Sequence, residues 1–175
     1  MAEQALLPHL FRIEYRKIIA VICRAFGMED IEVAEDLVSE TFLNAAETWG
    51  LKGLPENPTA WLYRVASNKA TDYLRRKHLF DTKISPTLLH TEETAYELKI
   101  DLSAENINDS QLQMMFAVCH PSISKEAQIG LSLNILCGFG VEEIADAFLS
   151  NKETIYKRIS RAKSKLREDK IKIEV

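Results

Sequence analysis

The sequence predicts an all-α protein in which two small helical domains are joined by an acidic linker. Apolar residues recur every three or four positions through most of the 175-residue chain, which is the period of an amphipathic helix. No segment shows the alternation of apolar and polar residues that marks a half-buried strand. Only 6 Gly and 5 Pro interrupt the chain, so long helices can form. We predict domains over residues 1–80 and 111–175, with the linker over 81–110.

The first two helices of the first domain follow from their apolar spacing. The first helix has an apolar face in helical steps and ends at Gly27, a residue that commonly terminates helices. The second helix is predicted over 31–49 and ends at Gly50. Its polar side carries Asp36, Glu40, Asn44 and Glu47. The predicted buried face of the first helix consists of Leu7, Phe11, Tyr15, Ile18, Ile22 and Phe26.

A third helix and the linker complete the first half of the chain. Asn57 followed by Pro58 is typical of an N-cap with proline at the first helical position. The helix is predicted to continue to about Lys77, with Leu62, Ala66 and Ala70 buried. Residues 81–110 show no sustained period and hold 2 basic and 7 acidic side chains, a net charge of −5.

The second domain is predicted to contain four helices. A short helix ends near Cys119 because Pro121 disfavours helix in the residue before it. Ser124 caps a helix over 125–137, and a short helix follows over 141–148. Residues 150–153 have the capping-box sequence S-x-x-E and start a last helix that continues to about residue 169.

Charge and cysteine content narrow the functional classes. The net charge of −4 conceals two basic segments, 64–77 at +4 and 150–172 at +6, and any function must explain them.

Cys23, Cys119 and Cys137 lack metal-site spacing, so we expect buried, reduced thiols in a cytoplasmic protein. Cys119, His120 and Cys137 lack a fourth ligand. We therefore predict no metal and no cofactor. No phosphate-binding loop or catalytic constellation is present, and no segment is long enough to span a membrane, so we predict neither an enzyme nor a membrane protein.

Residues 141–163 are typical of a DNA-binding helix-turn-helix. A short helix buries Ile144, Ala145 and Phe148, a tight turn follows at Leu149, where many such turns have Gly, and the second helix buries its own apolar stripe. Outward side chains on the second helix can reach base edges and phosphates in a major groove. The alternative is a solvated basic helix that caps a bundle. The candidate DNA contacts are Lys152, Tyr156, Lys157, Arg158, Ser160, Arg161 and Lys163.

Two further surfaces have a functional and a structural interpretation. The helix over 58–77 interleaves Trp61, Tyr63 and Tyr73 with basic residues, as proteins that bind single-stranded nucleic acid do, but a core helix with a charged outer face has the same pattern. The acidic side of the second helix is either solvated surface or a docking face for a basic partner.

Together these segments resemble bacterial sigma factors of the extracytoplasmic-function type, within the sigma-70 family. The resemblance covers nearly the whole chain in order. It is carried by residues 36–42 (DLVSETF), 57–76 (NPTAWLYRVASNKATDYLRR), 143–145 (EIA) and 154–163 (TIYKRISRAK). Residues 53–58 (GLPENP) and 119–121 (CHP) resemble the subgroup that carries a further helical-repeat domain after the second module. We expect that extension to be missing from this chain.

The resemblance implies a role for each domain. The first would be region 2, which binds core RNA polymerase through the acidic helix and reads the −10 promoter element. The second would be region 4, whose last helix reads the −35 element. The acidic linker would thread the polymerase channel. The implied polymerase contacts are Asp36, Ser39 (usually Gln in the family), Glu40 and Asn44. The implied −10 contacts are Asn57, Arg64, Asn68, Lys69, Arg75 and Arg76.

Partners follow from the same resemblance, and two other functions stay open. The implied partners are core RNA polymerase, promoter DNA, and an anti-sigma factor or the missing C-terminal domain, with a monomeric free protein. The chain could instead be a sigma-like regulatory module that binds no promoter, or a free-standing helix-turn-helix repressor. A regulatory module would bury its last helix against the first domain, and a repressor would need a homodimer interface.

Overall fold

The computed structural model describes residues 2–84 and 100–173, and the regular elements of these ranges are helical. This confirms the predicted all-α class. A single 3₁₀ turn, Met28–Asp30, separates the first two helices. The α-helices are α1 (Ala2–Phe26), α2 (Ile31–Lys52), α3 (Pro58–Ile84), α4 (Ala104–Val118), α5 (Lys125–Ile135), α6 (Val141–Ala147) and α7 (Lys152–Glu168).

Helix α1 lies at the centre of the structure. It packs against α2 and α3 and also against α4, so the run of residues 18–23 is buried on every side. The single apolar stripe predicted for this helix was therefore too narrow, and its member Phe11 is exposed. A continuous hydrophobic core joins residues of α1–α3 to residues of α4–α7.

The ends of α2 and α3 show which local signals terminate a helix. The prediction that α2 ends at Gly50 is wrong, since the helix continues to Lys52. Gly53 is the residue with positive φ (81°), and its N–H donates to the Trp49 carbonyl at 2.9 Å. The predicted cap of α3 is confirmed, since Asn57 Oδ1 accepts from the Ala60 N–H at 3.0 Å.

The predicted linker is helical at both of its described ends. Helix α3 continues through residues 81–84, and α4 starts at Ala104 after the N-cap Ser103, whose hydroxyl accepts from the Asn106 N–H. Residues 104–110 were predicted as linker, but they form the first turns of a helix that packs on α1. Residues 85–99, the rest of the predicted linker, lie outside the described ranges.

Helices α5–α7 match the prediction except at the C-terminal ends of α5 and α6 and at the N-cap of α7. Ser124 caps α5 as predicted, accepting from the Ala127 N–H at 3.2 Å, but α5 ends at residue 135 rather than 137. The N-cap of α7 is Asn151, whose Oδ1 accepts from the Thr154 N–H at 2.8 Å. The predicted capping box of residues 150–153 is therefore wrong by one position.

The connection between α6 and α7 is a tight turn over residues 148–151. Leu149 adopts a left-handed conformation (φ 49°) and is 97% exposed, at the position where Gly was expected. Ile144 and Ala145 are buried as predicted, but Phe148, which follows the last residue of α6, is 38% exposed.

The three cysteines differ in burial. Cys23 is buried in α1, whereas Cys119 and Cys137 are exposed at the ends of α4 and α5. The prediction of three buried thiols is correct only for Cys23, because the other two lie at helix ends beside solvent.

Candidate nucleic-acid interface

The outward face of α7 exposes several predicted contacts together. Tyr156 is 63% exposed, and Lys157 and Arg161 are also exposed, while Ser160 is half-buried. This face is presented because α7 buries its opposite side, which consists of Ile155, Ile159, Ala162 and Leu166. Three of the four side chains that were expected to read DNA are therefore free to meet a ligand together.

The beginning of α7 and the beginning of α6 border an open groove of about 710 Å³. Lys152 Nζ donates to Glu142 Oε1 at 2.7 Å across this groove. That hydrogen bond lowers the pKa of Glu142 and raises the pKa of Lys152. The predicted DNA contact Lys152 is therefore held in an exposed ion pair. Tyr156 and Lys157 border the same groove, and neither has such a partner among the residues that the structure describes.

A second groove, of about 470 Å³, lies beside the start of α5. Cationic side chains from four positions of α7 line it: Lys157, Arg158, Arg161 and Lys165. The Ser124 cap of α5 forms part of the opposite wall. Concentrated positive charge in a concave surface attracts polyanions such as nucleic-acid backbones.

Lys163 does not belong to this outward surface. Its Nζ lies 2.6 and 2.8 Å from the two carboxylate oxygens of Glu35 on α2, and the two side chains are only 13% and 20% exposed. Burial raises the pKa of the neighbouring Cys23 thiol, and the Glu35 charge raises it further. One helical turn along α7, Arg167 pairs with Glu32 at 3.2 Å at an exposed position. The predicted DNA contact Lys163 thus faces the first domain in this structure.

The outer face of α3 presents a second basic surface. Arg64, Asn68, Arg75 and Arg76 are exposed along it, as the sequence predicts. Asn57 is different, since its amide oxygen is engaged in capping α3. Lys69 is half-buried and pairs with Glu40 of α2 at 3.0 Å.

Two aromatic side chains of α3, Trp61 and Tyr73, pack inward, whereas Phe80 near its C-terminal end is 66% exposed. Trp61 contacts Trp49 edge-on at a centroid distance of 5.4 Å, and Tyr73 stacks at a tilt on Phe26 at 4.6 Å. Each of these two rings is therefore held by the first domain's core rather than presented to stack on a base.

A buried carboxylate anchors α3 to α1. The Tyr63 hydroxyl donates to Glu14 Oε2 at 2.5 Å, and Lys17 binds the other oxygen at 3.2 Å. Burial raises the pKa of Tyr63, and the Glu14 contact raises it further. This polar contact fixes the orientation of α3, although no local sequence pattern marks it.

The acidic side of α2 is accessible except where α3 covers it. Asp36, Ser39 and Glu40 are exposed and Asn44 is half-buried. The apolar Leu43 is exposed between them. The surface thus combines carboxylates with one aliphatic side chain, a mixture suited to a basic protein partner.

The described ranges 2–84 and 100–173 contain neither a metal-binding cluster nor a membrane-spanning helix. No group of three or more His, Cys, Asp or Glu side chains in these ranges is arranged to hold a metal ion. None of the described helices is both long and apolar enough to cross a membrane.

Comparison with known proteins finds a family model that matches the first part of the chain. Residues 10–79 match the family model described as sigma-70 region 2. The first part of the chain is therefore similar to sigma-70 region 2. The matched range includes most of α1, all of α2 and most of α3, and therefore both the acidic α2 surface and the basic α3 surface.

A relative extends the similarity beyond region 2. The chain is 31% identical over 139 residues to an uncharacterized protein of Rhizobium meliloti (strain 1021). The aligned part is 78% of this chain and 33% of that protein. The chain therefore spans about a third of the length of the curated relative it matches.

Proposed function

We propose that this chain is a sigma factor of the extracytoplasmic-function type. It directs core RNA polymerase to specific promoters in the cytoplasm and has no catalytic activity of its own. The observation that carries the proposal is the region 2 match over residues 10–79 on the same chain as a second basic helix, α7, whose outward face is exposed. Two basic surfaces in one chain suit a protein that meets two separate DNA elements.

In this proposal the first domain, residues 1–80, binds polymerase and the −10 element. The α2 surface of Asp36, Ser39, Glu40 and Asn44 meets a basic face of the core enzyme. The α3 surface holds the single strand that forms when the promoter melts. Extruding a base costs a few kcal/mol, so a basic wall on α3 has to stabilise the separated strand. The proposed strand contacts are Asn57, Arg64, Asn68, Lys69, Arg75 and Arg76.

The second domain, residues 111–175, reads the −35 element. Helices α6 and α7 act as a helix-turn-helix, and α7 enters the major groove. Tyr156, Lys157, Ser160 and Arg161 meet base edges, whereas Arg158 and Lys165, the other two cations that line the second groove, hold phosphates. The remaining proposed contacts are Lys152 and Lys163, which must first leave their carboxylate partners.

Run-off transcription with core RNA polymerase of the same organism tests the proposal. The templates are genomic fragments that include the promoter of this chain's own gene. We expect specific initiation that depends on the chain and is lost in Lys157→Ala and Arg161→Ala. A matched control is Lys125→Ala, an exposed cation on α5, which should retain initiation.

The alternatives give different results in the same assay. Core binding without initiation indicates a sigma-like regulatory module. Absence of core binding contradicts the sigma proposal and leaves a free-standing DNA-binding protein. In that case sedimentation should show a homodimer, whereas the proposed sigma factor is a monomer when free.

The proposed regulator is an anti-sigma factor or a further C-terminal domain. Either one would be detected as a partner that suppresses or restores run-off transcription.

A further inference from the structure

A small cleft lies between α1 and the connection that joins α5 to α6. Its volume is about 220 Å³, and it is lined by Arg12 and Arg16 of α1 together with Cys137, Gly138 and Phe139 of the connection. The two walls are close, since a Cβ atom at Gly138 would lie 3.7 Å from the carbonyl oxygen of Arg12. The first domain therefore supplies one wall of the cleft and the second domain supplies the other.

Arg16 brings an unsatisfied positive charge to this cleft. The residue is half-buried, and no ion pair or hydrogen bond to a described residue satisfies its guanidinium group. Its Nε is buried without an acceptor. A charged donor that is removed from water without an acceptor destabilises a protein by more than a neutral donor does. An anion in the cleft would stabilise Arg16, because a guanidinium group offers five N–H donors to such a ligand.

Arg12 adds a second guanidinium group one helical turn away on the same face of α1. Its Nη2 lies 3.4 Å from Glu143 Oε1, and both side chains of this ion pair are exposed, so the pair stabilises the protein little. Glu143 is engaged elsewhere as well, since its Oε2 accepts from the Gly140 N–H at 2.9 Å. Arg12 therefore retains donors for a ligand beside Arg16.

Two arginines in one cleft favour a phosphate group over a carboxylate. A phosphate group carries about −1.5 to −2 charges at neutral pH and three strong acceptor oxygens, so it can bind two guanidinium groups at once. A carboxylate has two oxygens, which a single arginine can satisfy in a bidentate pair. The cleft admits a phosphate group, because its volume is several times the about 30 Å³ that one water molecule occupies in the liquid.

We propose that this cleft is a binding site for a small phosphate-bearing anion, which Arg12 and Arg16 hold. Because the walls come from both domains, the anion binds the packed arrangement of the two domains and favours it. The inference goes beyond the proposed sigma function, since neither arginine is among the proposed contacts with polymerase or promoter DNA.

Alkylation of Cys137 in the presence of inorganic phosphate tests the inference, because this thiol is exposed and lines the cleft. The measurement uses the full chain with Cys119→Ser, which removes the other exposed thiol. The reagent is iodoacetamide, which is neutral, and mass spectrometry follows the Cys137 peptide. For a dissociation constant of about 1 mM, about 10 mM phosphate should slow the reaction about 11-fold. Sodium chloride at the same ionic strength controls for screening and should leave the rate unchanged.

Substitutions on α1 show whether the first domain takes part in protecting a thiol of the second. Arg12→Gln and Arg16→Gln should each weaken phosphate binding by about 10-fold or more, because each removes charged hydrogen bonds to the anion. Arg12 is 72% exposed, so its replacement leaves the core intact and tests the site even if Arg16→Gln unfolds the protein. A matched control is Arg24→Gln, which removes an exposed cation elsewhere on α1 and should retain full protection.

Three results would overturn the inference. Equal slowing by phosphate and by sodium chloride would mean that salt screens the thiol without binding. Full protection in both Arg12→Gln and Arg16→Gln would place the anion outside the cleft. Unchanged Cys137 reactivity would mean that phosphate binds only elsewhere, as on the second groove of α7, and that water alone solvates Arg16. Each result is obtained without polymerase or DNA, so it is independent of the outcome of run-off transcription.

Discussion

The Glu35–Lys163 ion pair should be a measurable source of stability between α2 and α7. Replacing Lys163 with Met keeps most of the aliphatic stem but leaves Glu35 largely buried without a partner. Removing one member of a fully buried pair costs about 3–5 kcal/mol, and an exposed pair contributes about 0–1 kcal/mol. The side chains of Lys163 and Glu35 are 13% and 20% exposed, so this pair lies between those two cases. We therefore expect Lys163→Met to lower the free energy of unfolding by about 2–3 kcal/mol.

A double-mutant cycle measures the interaction itself. The variants are Glu35→Gln, Lys163→Met and their combination, unfolded in urea and followed by far-UV circular dichroism and tryptophan fluorescence. We expect a coupling free energy of about 2 kcal/mol, or a factor of about 30 in the unfolding equilibrium. The two probes must give coincident transitions. Trp49 and Trp61 both lie in the first domain, so the fluorescence would not report unfolding of the second domain if that domain unfolded on its own.

The Glu32–Arg167 pair provides the matched control. It joins the same two helices at 43% and 55% exposure, so its cycle should give less than about 1 kcal/mol. At about 1 M salt the Debye length is about 3 Å, and the coupling of the control pair should vanish while most of the Glu35–Lys163 coupling persists. A Glu35–Lys163 coupling within about 0.5 kcal/mol of zero would refute the reasoning, since it would mean that α7 does not rest on α2 in solution.

Three further measurements test local features. Leu149→Gly should raise the free energy of unfolding by about 0.5–1 kcal/mol, because it relieves a left-handed conformation and loses no buried surface; a lower melting temperature would contradict the assigned turn. Asn151→Ala should cost about 1 kcal/mol and Ser150→Ala less than about 0.5 kcal/mol, and urea titrations showing the reverse order would restore the predicted capping box. The two exposed thiols should react rapidly with a disulfide reagent and Cys23 only on unfolding. Because burial raises the Cys23 pKa above 9.0, stability should decline as pH rises above that value. Cys23→Ala should remove the part of the decline that begins below the ordinary tyrosine pKa of 10.0, and an unchanged pH profile would exclude this cause.

Local chemistry explains the features that could be predicted from the sequence. The caps Asn57 and Ser124 each satisfy a nearby N–H, so residues within three positions decide where α3 and α5 begin. The exposed face of α7 could also be predicted from nearby residues. Its outward side chains are exposed because the opposite face is apolar at helical spacing and is buried. The wrong end predicted for α2 also has a local explanation. The glycine that ends this helix is the one with a positive φ, which is Gly53 and not Gly50.

Contacts between distant residues could not be predicted in this way. Lys163 and Glu35 are 128 positions apart, and a solvated face gives the same sequence pattern as a paired one. One signal for the wider packing was present in the sequence. Residues 18–23 (IIAVIC) are six consecutive apolar residues, and a helix that is apolar all round is buried all round. That run indicates a partner on both sides of α1, which the structure supplies as α2 and α3 on one side and α4 on the other.

The ion pairs that join α7 to α2 divide the proposed −35 contacts into two groups. Tyr156, Lys157 and Arg161 point away from the first domain and remain exposed in the packed arrangement, so they could meet DNA without any change in the fold. Lys163 is held by Glu35 and can reach a phosphate only if α7 leaves α2. Each contact with phosphate contributes a salt-dependent gain in binding free energy. That gain has to exceed the coupling free energy of the Glu35–Lys163 pair before the two domains separate. The structure therefore favours a sequence of events in which base-reading residues engage first and Lys163 follows.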